Sequence, residues 1–209
     1  GDATVRIMTG DKINVTDRNL DVSGERKPGF IIAVMHGREP ANESYAYAML
    51  PNVTAQDMPE RVKEIVDNVS VTKDPAKAHA LRCGDGTLQV AFFEPAVMTA
   101  GDVTVTADAP SQFMLRETDS SYVLSVSNPV PDHTVTSLAF TTSKPLPAGV
   151  YSYKLGGIYP LDGETVTIKP SGAGSEITVE LPDSRDEEKY NYQTMLYSGA
   201  PITVHIPRN

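Results

Sequence analysis

The chain has one cysteine, Cys83, and no tryptophan among its 209 residues. A lone thiol excludes an internal disulfide framework and a cysteine-based zinc site. Cys83 itself reads as a small buried hydrophobe. Without tryptophan, the chain lacks the strongest side chain for stacking on sugar rings. Long apolar runs are missing as well. None approaches the ~20 residues that a membrane helix needs, and no membrane partner is expected. Clusters of lysine and arginine are also missing. The net charge is −9, with 18 cations dispersed among 27 carboxylates. Nucleic acids and acidic glycans are polyanions that bind where cations gather. The charge pattern therefore argues against a nucleic-acid partner, and against this chain gripping an acidic polymer by itself.

Site motifs are equally sparse. No two of His36, His79, His133 and His205 lie at metal-ligand spacing, and there is no EF-hand loop. Phosphate loops, nucleophile elbows and dinucleotide fingerprints do not occur, so no cofactor is implied. The acidic run from Asp183 to Lys189, with Asp186, Glu187 and Glu188, reads as a solvated loop with at most weak calcium affinity. Sequons at Asn14, Asn42, Asn52 and Asn68 matter only in a eukaryotic secretory pathway. No signal peptide is visible, and Gly1 reads as the scar of a cleaved tag, which leaves the compartment open.

What is present is β-pattern. Valine, threonine and tyrosine are frequent, and Gly, Pro, Asp and Asn punctuate the chain every 8 to 12 residues. The fold class expected is all-β: antiparallel β-sandwich domains with one short helix. Strands are expected at Thr4–Met8, Phe30–Met35, Tyr45–Leu50, His79–Cys83, Leu88–Phe93, Val103–Ala107 and Phe113–Glu117. Further strands are expected at Tyr122–Ser127, Ser137–Thr142, Val150–Leu155, Thr165–Lys169, Ile177–Leu181, Gln193–Tyr197 and Ile202–Ile206. Val166 and Ile168 share one face, as do Ile177, Val179 and Leu181. Leu88 to Phe93 is nearly continuous in apolar residues, which predicts burial on both faces. The helix is expected over Met58–Val66, with Asp57 as N-cap, Pro59 in the first turn and Glu60 at the positive end of the dipole. Pro95 and the run Thr99-Ala100-Gly101-Asp102 suggest a junction between residues 1–98 and 99–209. Ser171 to Ser175 reads as a turn.

The densest cluster of informative residues is His36-Gly37-Arg38-Glu39-Pro40, followed by Ser44-Tyr45-Ala46-Tyr47 and then Leu50-Pro51-Asn52. Period-2 spacing puts Tyr45 and Tyr47 on one face of a strand, and Pro51 ends it. This block resembles a stretch late in the central β-sandwich of family 8 polysaccharide lyases, the hyaluronate, chondroitin and xanthan lyases. The apolar run Phe30 to Met35 before it, and Ser125-Val126-Ser127-Asn128-Pro129 after it, fit in order. The resemblance covers roughly residues 25 to 130. It implies that residues 1–98 are the end of the central sandwich and 99–209 the C-terminal sandwich. It also implies a parent that is secreted or periplasmic in a bacterium and cleaves acidic, glycosaminoglycan-type polysaccharide by β-elimination without a cofactor. The family's α-helical catalytic domain has no counterpart in this chain. The partner would be acidic polysaccharide held through the parent enzyme, and this piece alone would be inactive. A stand-alone carbohydrate-binding or adhesin-like sandwich is the alternative.

β-Elimination must neutralise a uronate carboxylate, remove the C5 proton and protonate the leaving oxygen. Tyrosine and histidine can move those protons, and arginine can hold the carboxylate. His36, Arg38, Tyr45 and Tyr47 are the residues of the right type. The plainer reading has His36 closing a turn and both tyrosines packing a sheet. Arg26, Lys27 and Arg38 flank one strand and are the candidates for substrate contact. Tyr151, Tyr153 and Tyr159, and likewise Tyr190, Tyr192 and Tyr197, lie close in sequence. Sheet packing is the first explanation for Tyr151 and Tyr153, and a sugar-stacking platform the second.

Overall fold

The computed structural model describes residues 4–13, 26–35, 37, 47–129, 135–155, 161–181 and 201–208. The chain divides into two compact units, Gly1–Thr54 and Ala55–Asn209.

In the first unit, β1 (Thr4–Ile13) and β2 (Arg26–Met35) form an antiparallel two-stranded ribbon. The register pairs Val5 with Val34 and Ile7 with Ile32. Alternation therefore gathers these four apolar residues on one face of the ribbon. Val5, Ile7 and Ile32 are 60%, 66% and 58% exposed. The strand expected at Tyr45–Leu50 is corrected: residues 47–50 carry no strand. Alternating tyrosines make a strand only where a neighbour supplies ladder hydrogen bonds, and among the described residues none does so for 47–50. Pro51 has no N–H and restricts Leu50 before it, so the pattern stops before it can pair.

The second unit opens with α1 (Met58–Asn68). Pro59 sits in its first turn and Glu60 is its first-turn acid, as expected, but Asp57 makes no side-chain capping bond. Lys63 reaches Asp67 at 2.5 Å and Arg61 reaches Glu64 at 2.6 Å along its outer face. None of its residues is buried, including Val62 and Val66 of the apolar stripe.

The strands that follow are β3 (Val69–Asp74), β4 (Ala78–Cys83), β5 (Leu88–Phe92), β6 (Ala96–Ala100), β7 (Val103–Ala107) and β8 (Ser111–Glu117). Then come β9 (Ser121–Ser127), β10 (Ser137–Thr142), β11 (Gly149–Leu155), β12 (Leu161–Ser171), β13 (Gly174–Glu180) and β14 (Ile202–Pro207). They make two six-stranded sheets, ordered β11-β12-β13-β10-β7-β6 and β14-β9-β8-β5-β4-β3, with every pair antiparallel. The expected all-β class holds. Alternation builds the core between the sheets: Leu88, Val90 and Phe92 face inward from β5, and Val166 and Ile168 do so from β12. The ring of Phe113 in one sheet meets that of Phe140 in the other, 5.3 Å between centroids and tilted by 50°.

Several expectations change. Leu88–Phe93 is buried on one face only: Gln89 and Phe93 are exposed. The Pro95 and Gly101-Asp102 break lies inside the second unit. It flanks β6 and turns it into β7, so a chain crossing from one sheet to the other produces the punctuation of a junction. β3 and β6 have no counterpart among the expected strands. β3 is an edge strand with four of its six residues exposed, and β6 is short and rich in small residues. Cys83 is half-buried rather than buried, and that burial pushes its thiol pKa up. Tyr153 packs the sheet as expected, 3% exposed, and its hydroxyl donates to the Glu180 carbonyl at 2.5 Å. Tyr151 is half-buried, and its hydroxyl donates to the Pro147 carbonyl at 3.1 Å. The strand expected at Gln193–Tyr197, the run Asp183–Lys189, His133, Tyr159, Tyr190 and Tyr192 lie outside the described residues.

Two local features hold the sandwich ends. The Ser171–Ser175 turn is the β12–β13 hairpin, with Gly172 at φ +57°. Gly174 is pressed on the end of β10: a Cβ there would lie 1.9 Å from the Thr142 carbonyl oxygen and 2.9 Å from Ser143 Cα. Nearby in the fold, Glu117 takes Lys144 Nζ at 2.6 Å on one oxygen and Arg208 Nη2 at 3.0 Å on the other. Both cations also stand over the Tyr122 ring, at 5.7 and 5.5 Å from its centroid. The Lys144 hydrogen bond, backed by the charges of Lys144 and Arg208, holds the Glu117 carboxyl below its usual pKa against a smaller opposing effect of burial.

Candidate functional site

The residues singled out for catalysis or substrate contact are only partly among the described residues. His36, Arg38 and Tyr45 lie outside the described residues. Arg26 and Lys27 are the first two residues of β2, paired with Ile13 and Lys12. Tyr47 is described, and it corrects the expectation that its ring packs a sheet: it is 75% exposed. His79 and His205 are exposed on strands of one sheet, His205 on the edge strand β14 and His79 on β4, next to the opposite edge strand β3. No group of three or more metal-ligating side chains gathers among the described residues.

The feature with the geometry of a site lies elsewhere, on the outer face of the β14-β9-β8-β5-β4-β3 sheet. The registers align one outward residue from each strand into a row: Val71, Leu81, Gln89, Met114, Ser125 and Thr203. A second row runs His79, Ala91, Gln112 and Ser127. Side chains that project from the same pleat stand about 5 Å apart across strands, so their lengths set the relief of the face. Ala91, Ser125 and Ser127 are short; Leu81, Met114 and the two glutamines are long. The result is a concavity of about 580 Å³.

Its polar groups are ordered by the protein itself. Ser125 and Thr203 share a hydroxyl hydrogen bond of 2.7 Å across β9 and β14. Ser127 donates to the Gln112 side-chain carbonyl at 3.2 Å, which commits one end of that amide. At one margin the His79 imidazole meets Phe93 edge-on, 5.0 Å between centroids and 81° between planes. Among the described residues, no Asp, Glu, Lys or Arg lines the concavity. Such a surface is suited to non-covalent recognition through amides, hydroxyls and apolar contact. Among its described residues there is no nucleophile–base pair and no oxyanion clamp. The row was not legible in the sequence because its members come from six strands. The one available signal was the outward glutamines Gln89 and Gln112 in otherwise apolar strands.

Comparison with known proteins gives a family match for part of the chain. Residues 70–137 match the C-terminal β-sandwich domain of polysaccharide lyase family 8. The Ser125–Pro129 stretch falls inside that match, and the His36–Asn52 block precedes it. The match also runs through residues 94–102, where the junction was expected. No curated protein matches the chain. Among solved structures, a Paenibacillus xanthan lyase is similar over 99% of this chain, with a TM-score of 0.57 and 18% identity, and the chain covers 18% of that lyase. The Streptomyces coelicolor A3 chondroitin AC lyase in complex with chondroitin sulphate is similar over 98% of this chain, with a TM-score of 0.59 and 19% identity. The chain covers 24% of it. A mutant of that chondroitin lyase gives a TM-score of 0.60 at 18% identity over the whole of this chain and 24% of its own. The chain thus spans less than a quarter of these lyases, and at such identity the likeness is one of fold.

Proposed function

We propose that this chain is the non-catalytic β-sandwich portion of a larger secreted polysaccharide lyase, one that cleaves acidic, glycosaminoglycan-type polysaccharide by β-elimination. The observation that carries this reading is the β1–β2 ribbon. A two-stranded sheet is marginal in water, and one with an apolar face needs a covering layer. Val5, Ile7 and Ile32 stay more than half exposed within this chain. A larger sandwich that continues the ribbon would cover them. α1 supports the same reading independently. An isolated helix of 11 residues is unstable in water unless its apolar stripe packs, and Val62 and Val66 are 46% and 71% exposed. Residues 1–54 would then be the last piece of the parent's central sandwich, and 55–209 its C-terminal sandwich. Both would brace a separate catalytic domain. The net charge of −9 fits a bracing role better than a grip on a polyanion.

The test is the absorbance of the unsaturated uronide. This chain, incubated with hyaluronan, chondroitin sulfate or xanthan, should release none. A longer product of the same reading frame that includes an upstream helical domain should release it from one of the three. Turnover by this chain alone, abolished in Tyr45→Phe or His36→Ala, would refute the bracing role and make the His36 block the active site.

A further inference from the structure

We propose that the concavity on the outer face of the β3–β14 sheet is a subsite for an uncharged oligosaccharide segment. The proposal stands apart from the lyase reading, since it rests on the second unit alone and requires no catalytic domain.

Three properties of the face point to this ligand class. The first is charge. Among the described residues, no Asp, Glu, Lys or Arg lines the concavity. A polyanion needs clustered cations to release its counterions, and a cationic ligand needs carboxylates. A neutral ligand needs neither. The second is the alternation of apolar and hydrogen-bonding groups over a few ångströms. Leu81, Ala91 and Met114 present hydrocarbon beside the amides of Gln89 and Gln112 and the hydroxyl of Thr203. A pyranose ring has the matching pattern, with C–H faces and hydroxyls that both donate and accept. Amides and hydroxyls are the side chains that do both in return. The third is preorganisation. The Ser127 bond fixes the carbonyl end of Gln112, and the Ser125–Thr203 bond fixes two hydroxyls across strands. Polar groups held on a rigid sheet lose little freedom when they bind. A space of about 580 Å³ falls within the range of small-ligand sites and suits a few sugar units. The described lining residues include no tyrosine, so the affinity should be modest.

The experiment is an NMR titration of the isotope-labelled chain with cellohexaose, maltohexaose, xylohexaose and mannohexaose, and with a chondroitin hexasaccharide as the charged comparison. At least one neutral hexasaccharide should give saturable shifts at Gln89, Gln112 and Thr203, with a dissociation constant of about 1 mM or tighter. Its affinity should not change with salt. Gln89→Ala and Gln112→Ala should each weaken it about tenfold or more. Gln89→Ala, at an exposed side chain, should leave the melting temperature unchanged, whereas Gln112→Ala should lower it because the buried Ser127 hydroxyl loses its acceptor. The proposal is overturned if none of the four saturates at this face. It is equally overturned if both glutamine variants bind like the parent, or if the chondroitin hexasaccharide is the tighter ligand and weakens with salt.

Discussion

Replacing Phe113 by alanine should remove a large part of the sandwich's stability. The ring is 1% exposed and lies between Val90 and Val126 of the neighbouring strands, with Phe140 facing it from the other sheet. Phe→Ala changes in cores cost about 3–5 kcal/mol, and the figure rises when the walls cannot collapse into the void. Here the flanking residues are valines, whose branched side chains have few rotamers with which to fill it. The backbone on both sides is held in antiparallel ladders. The cost should therefore fall in the upper half of that range. For a unit of this size each kcal/mol moves the melting point by about 2–4 °C, so the expected drop is about 8–20 °C. Urea unfolding should show a lower midpoint with an unchanged slope. The signal must come from circular dichroism or tyrosine emission, because the chain has no tryptophan. Combining Phe113→Ala with Phe140→Ala should reveal a coupling of about 0.5–1.5 kcal/mol, the contribution of the tilted ring pair beyond its buried area. A loss below about 1 kcal/mol, or strict additivity of the two changes, would mean that the sheets are not joined through this pair.

Two further perturbations test the ends of the sandwich. Gly174→Ala should cost about 3 kcal/mol or more, because its methyl would overlap the backbone of Thr142 and Ser143, which belongs to a ladder and cannot move aside. Gly172→Ala, at φ +57° with open space around it, should cost only about 1–2 kcal/mol, the left-handed penalty alone. Equal melting points for the two variants would contradict this close approach. Glu117 titrates below its ordinary value near 4.5 in the folded chain. Its contribution is therefore fully present above the unfolded pKa and is lost as pH falls through the folded one. Glu117→Gln should lower the melting point at pH 7 and flatten its fall between pH 5 and pH 3. An unchanged acid limb in the variant would mean that Lys144 and Arg208 do not act on this carboxylate.

The parts of the fold that were legible are those where physics writes a local period. Val166 and Ile168, or Ile177 and Val179, face the core while their neighbours face water, so the strand and its buried face can be read together. Pro59 and Glu60 mark the first turn of α1 by residue type alone, since a missing N–H and a negative charge both suit a helix start. β3 escaped because its alternation, Val69 and Val71 against Ser70 and Thr72, is short and runs out into Lys73 and Asp74 on an exposed edge. β6 escaped because it is only five residues long, buries just Met98 and the small Ala100 while Val97 faces solvent, and its bounding Pro95 and Gly101 mimic a linker. Leu88–Phe93 misled in the other direction. Ala91 and Phe93 are apolar yet face outward, where Ala91 floors the concavity and Phe93 meets His79. The concavity itself was out of reach, since Gln89, Met114, Ser125 and Thr203 become neighbours only once the strand register is known. Tyr47 is the clearest failure of pattern alone: its spacing from Tyr45 is that of a strand, and among the described residues no strand pairs with 47–50.

The pairing of β14 with β9 has a consequence for how the chain is made. Ser125 and Thr203 touch across 78 residues of sequence, and β14 follows every other strand of the sandwich out of the ribosome. Until it arrives, β9 presents a row of unpaired amides and carbonyls beside Leu124 and Val126, a template open to any passing strand. Closing so long a loop is slow compared with forming the hairpins that precede it. The nascent sandwich therefore waits with one edge open. Arg208, clasped by Glu117 and the Thr118 carbonyl just beyond the strand, is the latch that ends the wait. Loss of β14 alone should leave a protein that makes most of its contacts and still aggregates.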